Sequence, residues 1–394
     1  MKAKLRGQHL QRLIGDYGLA AVILDYFVLP HIREFPRHTP SGERQTTASK
    51  RTLQTLIRHH MRLSKAMSLA ESKYEAEELG ATKAAPTAEE VKAVFEQKFP
   101  AAPEGSELPA VDSLPKMNWR TGKLVDVDGT DCEEDASFFL ESDTLEAVLA
   151  GLSKPATAGV STTTNLFLRR TFKDGLSPAA ENVLLPFCRM FLAGAFSRVA
   201  VDLLQAGRLA LIPKGEKGEK AFRPLGIGDA MTRLVGKCIM KQEGRTIGLR
   251  LAKLQVAVSV SDGTTVMAEI AQMMFDLGRS MLALDCANAY NTVNRDAVLR
   301  GLKEHAPQLV RWFLTCYSGD TRVYHITHGF VGTCRTGVKQ GDPLPTLFFA
   351  LALQEALEKI DADVKHAHGG QPRDQDDGVD DHEDDDTRGW LCGR

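Results

Sequence analysis

Residues 337–360 read GVKQGDPLPTLFFALALQEALEKI. Two glycines, Gly337 and Gly341, frame Gln340 at what reads as a tight backbone approach, and an ordinary loop before a helix start reads the same way. Pro345 follows where a helix should begin, and its missing N–H costs nothing in a first turn. From Leu344 to Ile360 the apolar residues are spaced for a long helix, after which the pattern dissolves. A glycine-framed loop feeding an apolar helix anchors the reading of the segments around it.

Upstream lies LALDCANAYNTVN, residues 282–294. Residues 280–285, SMLALD, form an apolar run ending in an acid, which predicts a strand with Asp285 at its mouth. A strand buried on both faces tolerates a carboxylate only there, unless the charge is paired or bound to metal. In isolation such an acid more often caps the next turn. Tyr290 can lie beneath a bound sugar, although a lone tyrosine is usually packing. Between these segments and the loop, the spacing predicts helices over 294–304 and 307–317 and a hairpin, RVYHITHGFVGTCRTGV. Further upstream, LALIP (209–213), the turn KGEKGEK and FRPLGI (222–227) predict a second hairpin with a charged tip. Lys214 and Arg223 flank that tip. Two cations on a mobile hairpin suit a triphosphate, with arginine giving forked contacts, and an exposed charged turn reads the same way. Helices are expected over 229–241 and 264–277. In the second, Val266, Met267, Ile270, Met273, Met274 and Leu277 share a face and read as core.

Each segment is modest alone, and their order is more specific. LIPKG…RPLGIGDAMTRLVGK, then LDCANAYNTV, then GVKQGDPLPTLFFALALQEAL resembles the reverse transcriptase domain of non-LTR retrotransposons, most nearly the spliced-leader-associated elements of trypanosomatids. The resemblance covers roughly residues 160–360. It implies an α+β, right-hand polymerase fold, here fingers and an incomplete palm with no thumb, behind a helical N-terminal region. It implies RNA-directed DNA synthesis from deoxynucleoside triphosphates on an RNA template with a DNA primer, and Mg²⁺ or Mn²⁺ as cofactor. On this likeness Asp285 matches the first catalytic, metal-binding aspartate and Tyr290 the sugar-gate aromatic. Lys214, Arg223, Tyr290 and Gln340 match nucleotide-binding positions, and Gly341, Asp342 and Pro343 match the template–primer motif. A second metal-binding pair should follow on a β-hairpin. Asp380 and Asp381 stand at a suitable distance, but no apolar strand precedes them and acids surround them. The expectation is therefore a chain that stops at or just before the second carboxylate pair, its reading frame lost there, with weak or no polymerase activity. The alternative is a remnant that binds nucleic acid without catalysis.

Composition sets the outer bounds. The 394 residues are 43% hydrophobic and 25% charged, in the range of globular proteins. The net charge of −2 hides a basic block over 168–253, where sixteen Lys/Arg face seven Asp/Glu. Such a block suits nucleic acid, and equally a solvated helical surface. Seven cysteines, an odd number without zinc spacing, argue against a disulfide framework. Gly18 to Leu29 is too short to span a bilayer, so a nuclear or cytoplasmic, non-secreted, non-membrane protein is expected. The expected divisions are 1–100 (helical, with a Pro-rich linker), 101–160 (acidic linker), 161–255 (fingers), 256–360 (partial palm) and 361–394 (acidic tail, expected to be disordered).

Overall fold

The computed structural model describes residues 86–369, apart from 104, 127, 136–137, 153–156, 173–179, 215–220, 280 and 282–283. The expected helices before residue 86, and Asp380 and Asp381 in the acidic tail, lie outside the described residues. The fold is mixed α+β, with two small sheets among many helices.

Helix α1 (Ala88–Lys98) opens on a capping box: the Glu90 N–H donates to Thr87 Oγ1 at 3.2 Å and the Thr87 N–H to Glu90 Oε2 at 2.9 Å. Its buried Val91 and Phe95 pack with Leu209, Val323 and Cys334 into a small cluster on the larger sheet. Phe95 occupies the space a Cβ on Gly332 would need, 2.4 Å away.

Strands β1 (Lys116–Met117), β2 (Lys123–Val125) and β3 (Asp131–Asp135) form the smaller, antiparallel sheet, followed by α2 (Ser142–Gly151). Residues 101–160 are thus folded for much of their length, where composition predicted a linker. Glu107, Asp112, Asp126, Asp128, Glu141, Asp143 and Glu146 sit on exposed positions, while Phe138, Leu140, Leu145, Val148, Leu149 and Leu152 enter the main core. A high acid count conceals an apolar residue every third or fourth position of α2.

Helices α3 (Asn165–Phe172), α4 (Leu185–Leu192) and α5 (Arg198–Leu204) lead to the expected hairpin, β4 (Gly207–Lys214) and β5 (Ala221–Ile227). The hairpin register sets Ile212 opposite Arg223 and Lys214 opposite Ala221. Next come α6 (Ala230–Leu251), α7 (Gly263–Asp276), the short α8 (Ala289–Thr292), α9 (Arg295–His305) and α10 (Val310–Tyr317). The second expected hairpin, β6 (Thr321–His325) and β7 (Gly329–Cys334), is present. The two hairpins join through a parallel pairing of β4 with β6 into one sheet of order β5-β4-β6-β7. Helix α11 (Pro345–Gly369) starts where the proline predicted and runs past Ile360, where the apolar pattern stops. The side chains of residues 362–366 on these extra turns are exposed, and Lys365 pairs with Asp361 one turn back at 3.0 Å.

Two expectations are corrected here. Residues 281 and 284–286 have no regular secondary structure, and no strand among the described residues pairs with them, so Asp285 stands on irregular, exposed chain and not at the mouth of a strand. Leu284 beside it is 77% exposed. An apolar run becomes a strand only where neighbouring backbone satisfies its N–H and C=O groups. The apolar stripe of α7, expected to be core, buries none of its residues. Periodicity marks a face as apolar but does not supply the surface that would cover it.

Candidate functional site

The glycine-framed loop is stitched to two other segments by its backbone. The Val338 N–H donates to the Tyr290 carbonyl at 2.7 Å and the Gly337 N–H to the Val293 carbonyl at 3.0 Å, joining the loop to α8. The Gly341 N–H donates to the Gly226 carbonyl at 2.8 Å, joining it to the end of β5. Both framing glycines are required. Gly337 has φ +70°, and its Cβ would meet Asn291 O at 2.3 Å; at Gly341 a Cβ would meet Gly226 O at 2.4 Å. Beneath the loop, buried Arg295 donates to the carbonyls of Gly337 (2.9 Å), Tyr317 (3.0 Å), Gly319 (3.3 Å) and Cys334 (3.3 Å). One guanidinium thereby ties the loop to α9, α10 and β7.

The residues singled out from sequence fall into two groups. Tyr290, Gln340, Gly341, Asp342 and Pro343 are brought together around this loop. Tyr290 is half-buried, its hydroxyl 3.2 Å from Thr346 Oγ1 and its ring edge-on to Phe349. Gln340 is half-exposed, Pro343 packs on Gly236 of α6, and the Asp342 side chain faces inward at 7% exposure. Arg223 is exposed on β5, roughly 10 Å along the strand from Gly226, and Lys214 ends β4 opposite Ala221, about 17 Å from it. Asp285 stands apart, exposed and without regular backbone.

A buried polar group that sequence reading missed lies behind the loop. The Lys339 amine, at 8% exposure, donates to the Gln205 carbonyl at 3.0 Å and to the Gln205 side-chain oxygen, and sits 3.5 Å from Asp342 Oδ2. Gln205 Nε2 donates to Cys316 Sγ at 3.0 Å. Asp229 caps α6 through the Met231 N–H at 3.0 Å and also accepts from Ser161, both its N–H at 3.2 Å and its hydroxyl. Arg233, one turn into α6, faces the carboxylates of Asp229 and Asp342, which offset the lowering of its pKa by burial. Burial pushes the Asp342 carboxyl above the usual carboxylate range, against the pull of Lys339 and Arg233. The Tyr317 hydroxyl is pushed up chiefly by burial and then by Asp342. Nothing in the local pattern distinguishes a buried Lys339 from a surface lysine.

The two-metal chemistry that the resemblance implies needs carboxylates gathered on rigid elements. Among the described residues, one group brings three ligand atoms within 4.8 Å: Glu304 and His305 at the end of α9, with Glu358 of α11. That donor set can coordinate a divalent ion. Asp285 is not part of it, so the described residues do not assemble a two-metal site around Asp285.

No family model matches this chain. The chain is similar to the retrovirus-related Pol polyprotein from type-1 retrotransposable element R2 of Bradysia coprophila, with 28% identity over 207 residues, 48% of this chain and 23% of that protein. The corresponding polyprotein of Popillia japonica is 28% identical over 165 residues, 39% of this chain and 23% of the relative. The chain thus spans under a quarter of the length of these curated relatives. The finding is a distant homology to non-LTR retrotransposon Pol proteins, and it does not single out the spliced-leader-associated elements. No helix among the described residues is long and apolar enough to cross a membrane.

Proposed function

We propose that this chain is a reverse-transcriptase-related protein of a retroelement, built to handle nucleic acid and with little or no polymerase activity. The observation that carries the reading is the pair of backbone bonds, Gly341 to Gly226 and Val338 to Tyr290, that gathers three motif-bearing segments at one place. In this reading β4, β5 and α6 belong to fingers, and α8 to α11 to palm. Gln340, Gly341 and Pro343 face the template–primer, and Asp342 belongs to the same motif. Tyr290 gates the sugar, and Lys214 and Arg223 hold the triphosphate of a deoxynucleotide. Asp285 is the one metal carboxylate the motif supplies, with Asp380 and Asp381 the candidates for its partner. The exposed position of Asp285 outside any helix or strand supports low activity, because a metal carboxylate needs a rigid element to hold it to the tolerance of the reaction.

One experiment tests both halves. The full chain is given a DNA primer annealed to an RNA template, deoxynucleotides and Mg²⁺, and binding and extension are both measured. The expected outcome is binding that weakens steeply with salt and extension near background. Extension that Asp285→Ala abolishes would overturn the inactive assignment. Absence of binding at low salt would overturn the nucleic-acid assignment as a whole.

A further inference from the structure

Gln340 is the half-exposed residue of a loop whose flanks are held from the inside. On one side Lys339 turns inward to Gln205 and Asp342; on the other the Gly341 N–H is bonded to β5. Asp342 fills the space beside Gly228, where a Cβ would collide with its carboxylate. Among the described residues Asp342 Oδ1 and the Nε and Nη2 of Arg233 are buried without a hydrogen-bond partner, although the two groups face one another. This is an arrangement that packing for stability alone would not select. Buried ion pairs commonly contribute less than apolar side chains of the same volume, and their best-attested use is to fix one geometry.

We infer that Lys339 and Asp342, backed by Gln205 and Arg233, are positioning residues that latch the loop to α5 and α6 and so present Gln340 outward in one orientation. The part of Gln340 in contacting nucleic acid rests on the function proposed above; the latch itself does not. The carbonyl and side-chain oxygen of Gln205, at the end of α5, hold the amine, while Asp229 and Arg233 on the first turn of α6 face the carboxylate. The loop is therefore fastened to the elements on either side of the β4–β5 hairpin.

The test uses the full chain with Lys339→Met, Asp342→Asn and the pair combined. Lys339→Met removes one of the two cations that face the buried Asp342 carboxylate and should lower the melting temperature; the double variant removes the Lys339 and Asp342 charges together at near-constant shape and should recover it. In both, the Val338 and Gly341 amides should exchange with solvent at least about tenfold faster than in the parent, relative to core amides of α9 and α10. A role confined to stability would return loop exchange to the parental rate along with the melting temperature, and that result would overturn the latch. If Lys339→Met does not fold, the double variant and Asp342→Asn carry the comparison. A second arm separates the latch from the functional reading. Gln340→Ala should weaken primer–template binding in the parent and add nothing in the double variant. If Gln340→Ala is silent even in the parent while loop exchange behaves as expected, the nucleic-acid role of Gln340 fails and the latch stands.

Discussion

The group at which chemistry and packing conflict most is the Asp342 carboxyl. Its burial outweighs the attraction of Lys339 and Arg233, so it holds a proton more readily in the folded chain than a free carboxyl does. A carboxyl whose folded pKa is raised takes up protons on folding. Its contribution is favourable below the ordinary value of 3.8 and is lost as pH rises through the raised one. Asp342→Asn should therefore leave the chain as stable as the parent, or more stable, at neutral pH. It should also flatten the stability–pH curve in the window directly above the ordinary carboxylate range. Thermal melts of parent and variant across that window check this, and a large loss of stability at neutral pH would show that the ion pair outweighs its desolvation. Lys339, Arg233, Asp229, Tyr317 and Cys316 share this environment and set the remaining slope.

At the scale of elements, the contrast lies between α9–α11 and α7. Helices α9 and α11 cross so closely that a Cβ on Gly301 would meet Leu351 O at 2.3 Å, and the residues they share are core. Helix α7 has a comparable apolar stripe but no buried residue; Phe275 is 68% and Leu277 63% exposed. Phe275→Asp should consequently change folding stability by no more than about 0.5 kcal/mol, the range of surface substitutions, measured by chemical denaturation. A loss of several kcal/mol would mean that α7 is covered in solution. The helices over 229–241, 264–277, 294–304 and 307–317 and both hairpins were legible, because period and turn chemistry are local. The strand over 280–285 was not, because a strand depends on a partner elsewhere in the chain, and among the described residues that partner is missing.

For the whole molecule, one core cluster draws on residues from Phe138 to Leu351, so packing runs straight across the divisions that composition suggested at 160 and 255. Leu140, in the stretch expected to be linker, is fully buried in that core. Leu140→Ala should cost about 2–5 kcal/mol, as for other leucine truncations at closed sites, and calorimetry on the full chain is the direct measurement. A change under 0.5 kcal/mol would restore the linker interpretation. Within the candidate site, the loop, Tyr290 and Gln340 could be read in advance because glycine framing and motif order are written along the chain. Arg233, Gln205 and the inward turn of Lys339 could not, since each depends on contacts between residues far apart in sequence.

The two hairpins, the glycine-framed loop and the proline-started helix behind it follow from residue order, because backbone sterics and local periodicity act over a few residues. Which apolar runs are covered and which polar groups are buried was set by contacts between segments far apart in the chain. Leu284 and Asp285 are left exposed and no residue of α7 is buried, whereas the side chains of Lys339 and Asp342 are. Burial is a property of two surfaces meeting, and a one-dimensional pattern describes one surface at a time.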